Sequence, residues 1–153
     1  SSRRYALLGA GSRDGVHAGQ TVVAPTGLVG RVVQTGASSA RVQLVIDGGM
    51  RIPVQRVSDG MPALAVGVGD GRFLINARAA GTNPFKVRDV FVTSGAGGVY
   101  KPGVPLAVAV SRTRDGTFAI PTAAPDRYDF AMVLPEYIAP LPPEPDTLPR
   151  EEE

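Results

Sequence analysis

Few side chains in this sequence could carry covalent chemistry, and they lie far apart along it. His17 is the single imidazole. It sits in the loop Gly15-Val-His-Ala-Gly-Gln20 among small residues, a setting that suits a surface position better than a catalytic base. Ser94 stands before Gly95-Ala-Gly-Gly98 and is the one serine placed like a nucleophile. A hydrolase needs a nucleophile, a base and an orienting group. His17 is the only available base, and Thr93 stands where an acid would have to precede the serine. Lys101 follows the glycines, but Pro102 comes next and the flanks read as strands, so no phosphate loop forms there. Gly9-Ala-Gly11 lacks the third glycine of a dinucleotide fingerprint. There is no cysteine, so disulfides, thiolate nucleophiles and cysteine-bearing zinc sites are excluded. The aspartates fall mostly in Asp-Gly pairs (at 14, 47, 59, 70 and 115) and read as turn formers, not metal ligands. No cofactor is implied.

The elements that would position these residues are short and extended. The chain has 19 Gly and 14 Pro in 153 residues, a composition of many turns rather than long helices. Apolar runs separated by turn signals predict strands over 5–8, 21–24, 28–34, 41–46, 51–55, 63–68, 72–76, 90–93, 106–110, 118–120 and 130–134. Val42, Leu44 and Ile46 are expected to face inward, with Arg41 and Gln43 outward. Pro53 predicts an edge strand or a bulge. The best helical candidate, 77–80, is cut short by Gly81. The spacing of strands and turns predicts an all-β sandwich or barrel, and the length suits two small β-barrels packed together.

The stretch from Val90 to Gly103 organises the rest. A short strand runs into a corner with three glycines in four residues, and leaves through Pro102-Gly103. Phe85, Val99 and Tyr100 lie in loops where no core has an obvious claim on them. With Ser94, Gly97 and Gly98 they form the candidate partner-binding set.

Residues 1–135 carry an excess of seven basic side chains, and residues 136–153 an excess of five acidic ones. The arginines are scattered, without interleaved aromatics, which speaks against nucleic-acid binding. Residues 135–149 contain six prolines, and the chain ends Arg150-Glu-Glu-Glu153, the composition of an extended, solvated tail. No apolar run approaches the roughly 18 residues of a membrane helix. The opening Ser1-Ser2-Arg3-Arg4 reads as a cut within a longer protein, with any anchor upstream.

Several blocks together resemble one family. They are Gly15-Val16 with Gly19-Gln20 and Val22-Val23; Thr26-Gly27-Leu28-Val29-Gly30-Arg31-Val32; Ala40-Arg41-Val42 with Leu44 and Asp47; Ile52-Pro53-Val54; and Val92-Thr93-Ser94-Gly95 with Gly97-Gly98-Val99-Tyr100 and Pro102-Gly103-Val104-Pro105. In this order they resemble the rod-shape-determining protein MreC, from about Tyr5 to Leu134. Three positions depart from the family pattern: Arg88 replaces a usual Gly, Ala107 a frequent Gly, and Tyr100 a usual Phe.

The resemblance implies a periplasmic part made of two small β-barrels, one inserted into the other. The outer barrel is expected at 1–48 and 125–140, the inserted one at 49–124, and a Pro-rich acidic tail, expected to be disordered, at 141–153. It further implies a non-enzymatic scaffold of the cell-elongation complex that directs lateral peptidoglycan synthesis. Such a scaffold self-associates as dimer or filament and binds the elongation-specific penicillin-binding transpeptidase and other rod-complex membrane proteins. The inner membrane is reached only through an anchor outside this chain. The rival readings are a module binding cell-wall glycan through Arg and Tyr100, and a chymotrypsin-like hydrolase, degenerate or active, using Ser94 and His17.

Overall fold

The computed structural model describes residues 4–77, 81, 83–123 and 132–135. Among them there are eleven strands and two short 3-10 turns, Ser12–Asp14 and Ala96–Gly98. The strands are β1 (Tyr5–Leu8), β2 (Thr21–Ala24), β3 (Gly27–Thr35), β4 (Ala40–Leu44), β5 (Arg51–Arg56), β6 (Pro62–Gly67), β7 (Phe73–Ala77), β8 (Val90–Thr93), β9 (Pro105–Thr113), β10 (Gly116–Pro121) and β11 (Met132–Val133). The fold is all-β, as the turn spacing predicts. One of the two expected barrels closes, in the order β10-β7-β6-β5-β8-β9. The other unit is a five-stranded sheet, β1-β4-β3-β2-β11. The chain builds four strands of the sheet, then the whole barrel, and returns to the sheet with β11. The tail at 141–153, most of the segment 125–140 and positions 78–80 of the helical candidate lie outside the described residues.

The barrel interior is filled by matching large side chains to small ones across the ladders. Ile52 faces Ala65 and Val54 faces Ala63. Phe91 faces Ala107, and Phe73 faces Ala119. All of these are 0–1% exposed. A small barrel has room inside only for its own side chains, so alternation of size keeps packing dense without strain.

The sheet meets the barrel along β3 and the β4–β5 connection. Leu28 joins the barrel cluster, while Val29, Val32 and Val42 form the separate core on the opposite face of the sheet. Val42 faces inward as expected. The strand ends at Leu44, however, and Val45, Ile46 and Asp47 are all buried. Ile46 therefore belongs to the barrel core, not to an alternating sheet face, because the chain turns there from one unit into the other. The β2–β3 turn presses on the barrel so closely that a Cβ on Gly27 would lie 2.7 Å from the Pro105 carbonyl oxygen. Gly27 has no side chain to hold the units apart.

Pro53 is not on an edge. It pairs with Leu64 of β6, and its carbonyl accepts from the Ser94 N–H at 3.1 Å. A residue's N and C=O point to the same side of a strand, so the missing N–H faces β8. The ladder to β8 runs from Arg56–Phe91 to Val54–Thr93, and Pro53 closes it opposite Ser94 with one hydrogen bond and no return donor.

Arg88 is the one non-glycine among the described residues with positive φ, at 80°. It sits in the turn before β8, where its N–H donates to the Ala109 carbonyl at 2.8 Å. The family's usual glycine is thus explained by backbone sterics. A left-handed residue with a Cβ carries about 1–2 kcal/mol of strain, partly offset in glycine by roughly 0.5–1 kcal/mol of chain entropy. Arg88→Gly is expected to raise the melting temperature by a degree or more in a thermal melt; a lowered value would show that the Arg88 side chain outweighs the strain.

Candidate interaction surface

The glycine corner is a folded-back turn pinned by one residue that sequence reasoning passed over. Thr93 is fully buried. Its hydroxyl donates to the Lys101 carbonyl at 2.6 Å and accepts from the Val104 N–H at 2.9 Å. Its backbone N–H donates to Val104 and its carbonyl accepts from Gly103, both at 2.8 Å. Both ends of the loop are thus tied to a single position. Between them Gly95, Gly97 and Gly98 adopt φ of 78°, 78° and 70°. Three left-handed residues so close together are accessible to glycine and strained for anything else. The one available signal was a hydrogen-bonding side chain at the end of an apolar strand, just before the glycines.

The six candidate partner-binding residues separate by exposure. Val99 and Gly97 reach the surface, and Ser94 and Gly98 are half-buried. Phe85 and Tyr100 do not fit the expectation that no core claims them. They are 0% and 4% exposed and belong to the barrel cluster. Phe85 packs edge-on against Phe91, with ring centroids 5.2 Å apart and planes at 79°. Tyr100 follows the folded-back corner into the same cluster. The sequence placed both aromatics in loops, correctly, but a loop that folds over a barrel becomes part of its core.

Arg56 is a second residue the sequence did not single out. From the end of β5 it bonds Asp59 through Nε and Nη2 at 3.1 and 2.8 Å. Nη1 bonds Asp89 at 3.0 Å and the Pro84 carbonyl at 3.1 Å. Its guanidinium also lies 5.3 Å from the Phe85 ring centroid. One planar fork thereby ties the β5–β6 turn to two points of the β7–β8 connection. The hydrogen bond from Arg56, followed by that from the Met61 N–H, holds the Asp59 carboxyl down at about 2.

The other Asp-Gly acids also serve turns. Asp14 accepts from the Gly11 N–H, and Asp70 from the Arg72 backbone and side chain. Asp47 differs: it is buried, and Gln43 donates to one of its carboxylate oxygens at 2.9 Å where the chain enters the barrel.

The postulated nucleophile and base are not brought into contact. The Ser94 hydroxyl accepts from the Ala96 N–H at 3.2 Å. His17 is exposed, and its backbone N–H donates to Gln20 at 2.9 Å. No hydrogen bond joins the two among the described residues; one belongs to the barrel and the other to the loop entering the sheet. Among the described residues no three His, Asp or Glu side chains gather as metal ligands. No described helix is long and apolar enough to cross a membrane.

A closed barrel joined to a sheet, with a buttressed glycine corner and an exposed sheet edge, defines a β module whose features of interest are surfaces. The family model for "Rod shape-determining protein MreC, barrel core" matches residues 1–133, and the chain belongs to that family. It is 33% identical over 138 residues to the cell shape-determining protein MreC of Haemophilus influenzae, covering 86% of this chain and 39% of that protein. To the protein of the same name from Escherichia coli it is 32% identical over 134 residues, covering 84% and 36%. The chain thus spans under two fifths of the length of these relatives. The crystal structure of MreC from Pseudomonas aeruginosa superposes with a TM-score of 0.78 at 31% identity, covering 87% of this chain and 90% of that one.

Two pH responses follow. Burial pushes the Tyr100 hydroxyl up to about 12, with Arg31 opposing. In the unfolded chain it ionises near its ordinary value of about 10. The neutral phenol is thus fully compatible with folding below pH 10, and stability falls between about 10 and 12. Tyrosinate absorbance should show one group titrating late. The alkaline loss should shrink in Tyr100→Phe, and an unchanged profile would contradict it. Asp59 works in the other sense. Its stabilising contribution is present above about pH 4 and is lost as pH falls toward 2. In acid melts Asp59→Asn should remove that part of the slope; a parallel curve would show that the Arg56 contact contributes nothing.

Proposed function

We propose that this module is a non-enzymatic scaffold of the cell-elongation complex, working on the periplasmic side by surface complementarity. It self-associates and holds the elongation-specific penicillin-binding transpeptidase and other rod-complex membrane proteins in register, so that peptidoglycan is inserted laterally. Attachment to the inner membrane is through a segment beyond this chain.

The observation that carries this reading is the outer edge of β1. In the described sheet β1 is an end strand. The Leu44 N–H donates to the Arg4 carbonyl at 2.9 Å. Backbone groups alternate sides along a strand, so Ala6 and Leu8 bond β4 while Tyr5 and Leu7 turn theirs outward. The same two residues expose apolar side chains, at 43% and 79%. β1 carries no proline, bulge or charged side chain of the kinds that usually block such an edge. Centred on Ala6, two copies can pair antiparallel with Tyr5 opposite Leu7 in both directions, and each pair exchanges both backbone hydrogen bonds. The corner surface at Val99 and Gly97, flanked by Ser94 and Gly98, serves in this reading as a second contact, for a different partner.

The rival readings have less to support them. The glycan reading relied on arginines and on Tyr100, which is buried, and the hydrolase reading on Ser94 and His17, between which no hydrogen bond is made among the described residues.

Sedimentation velocity tests the proposal. The average mass of the chain should rise with concentration, and Leu7→Lys, at a side chain already in solvent, should remain monomeric. A mass that rises identically in both would remove β1 from the contact, and a monomer throughout would remove self-association from this module.

A further inference from the structure

Five Asp-Gly pairs punctuate the chain, at 14, 47, 59, 70 and 115. Such a pair can cyclise without any enzyme. The glycine amide nitrogen attacks the aspartate Cγ, one water leaves, and a succinimide ring closes. Glycine suits the step because no Cβ obstructs the approach of its nitrogen. Water then reopens the ring at either carbonyl. Attack on the side-chain carbonyl restores aspartate. Attack on the main-chain carbonyl leaves isoaspartate, whose backbone runs through Cβ and Cγ and is one atom longer. The water lost in the first step returns in the second, so the mass is unchanged. The two asparagines, Asn76 and Asn83, precede Ala77 and Pro84 and lack a glycine partner.

The five differ in what holds the carboxylate, which must swing free of other partners to meet the glycine nitrogen. Asp14 accepts from the Gly11 N–H at 3.0 Å, and the Gly15 N–H is itself bonded to the Ser12 carbonyl at 3.1 Å. Asp47 is buried and held by Gln43. Asp59 is gripped by Arg56 and the Met61 N–H, while the Gly60 N–H donates to the Arg56 carbonyl at 2.7 Å. Asp70 accepts from the Arg72 backbone at 3.0 Å and from its Nε at 2.9 Å. The Asp115 carboxylate alone accepts no hydrogen bond and forms no ion pair among the described residues; only its N–H is engaged, donating to the Thr113 hydroxyl at 3.1 Å. Asp115 is exposed in the two-residue turn between β9 and β10. Gly116 is the rung nearest that turn, opposite Thr113, and rungs at the end of a ladder open most readily.

The turn bears on the barrel interior. Thr117 is fully buried; its hydroxyl donates to the Phe85 carbonyl at 3.2 Å and accepts from the Asn83 side-chain amide at 2.9 Å. The Asn83 carbonyl oxygen of that amide accepts in turn from the Phe85 N–H at 3.0 Å. Gly116 has little room to shift toward β7, since a Cβ on it would lie 2.9 Å from Leu74 Cδ1. An added backbone atom at 115 therefore disturbs Thr117 and its hold on the loop that seats Phe85. We propose that Asp115-Gly116 is a site of spontaneous modification in this chain, where Asp115 converts through the succinimide to isoaspartate, lengthens the β9–β10 turn and loosens the Phe85 loop.

The test is to age the folded chain in warm, mildly acidic buffer and map isoaspartate by electron-transfer fragmentation, which distinguishes the two isomers at equal mass. Conversion at 115 should exceed that at each of the other four pairs by about tenfold, the population effect of one hydrogen bond to a charged group. Arg72→Gln, which frees the Asp70 carboxylate, should raise conversion at 70 several-fold. Aged protein should show faster amide hydrogen exchange at Phe85 and Thr117, and Asp115→Glu aged alongside it should not. Conversion spread evenly over the five pairs, or led by one whose carboxylate is held, would overturn the proposal, as would an Asp70 that stays inert in Arg72→Gln. Isoaspartate at 115 with unchanged exchange at Phe85 would overturn the link to the barrel interior.

Discussion

A barrel of six strands encloses so little space that its largest inward side chains are matched by small ones across the ladder. Ile52 needs Ala65, Val54 needs Ala63, Phe91 needs Ala107 and Phe73 needs Ala119, because two large groups at either rung would not fit. Closure has two consequences. It removes every free backbone edge from the barrel, and it leaves the ends to be covered by side chains from the loops. Phe85 and Tyr100 enter there, carried by loops that Arg56 and Thr93 then tie down.

The sheet depends on that closed body. Leu28 is inserted into the barrel cluster, Gly27 sits against Pro105, and the buried Val45-Ile46-Asp47 segment passes between the units without a loose linker. Only the far side of the sheet is free to vary, and it ends in β1. Backbone pairing is thus left to the end strands of the sheet, β1 and the two-residue β11, while the barrel's surface is limited to contacts between side chains. For a family of cell shape-determining proteins this is a workable division: one surface for strand pairing, and others for different contacts.

Much of the architecture could be read from turn chemistry. Glycine and proline punctuation located nearly every described strand, and the block from Thr93 to Gly103 identified the family. What was not legible depended on register. The large-to-small pairing inside the barrel joins residues from different strands, so no single stretch displays it. The burial of Phe85 and Tyr100 was hidden for the same reason, since local sequence shows a loop but not what the loop covers. Pro53 misled because a proline can close a ladder from within: its carbonyl still accepts from Ser94, and only the return bond is missing. Arg88 was legible as a departure from the family's glycine, but its meaning required the backbone angle.

The central claim is that pairing between copies runs through β1, the longer end strand of the sheet, while the closed barrel has no free backbone edge. Amide hydrogen exchange, measured residue by residue at low and high protein concentration, tests it most directly. Tyr5 and Leu7 should exchange fast when dilute and become protected when concentrated, while the barrel amides stay equally protected throughout. Protection gained in β8 or β9 with Tyr5 and Leu7 still exchanging fast would contradict the account.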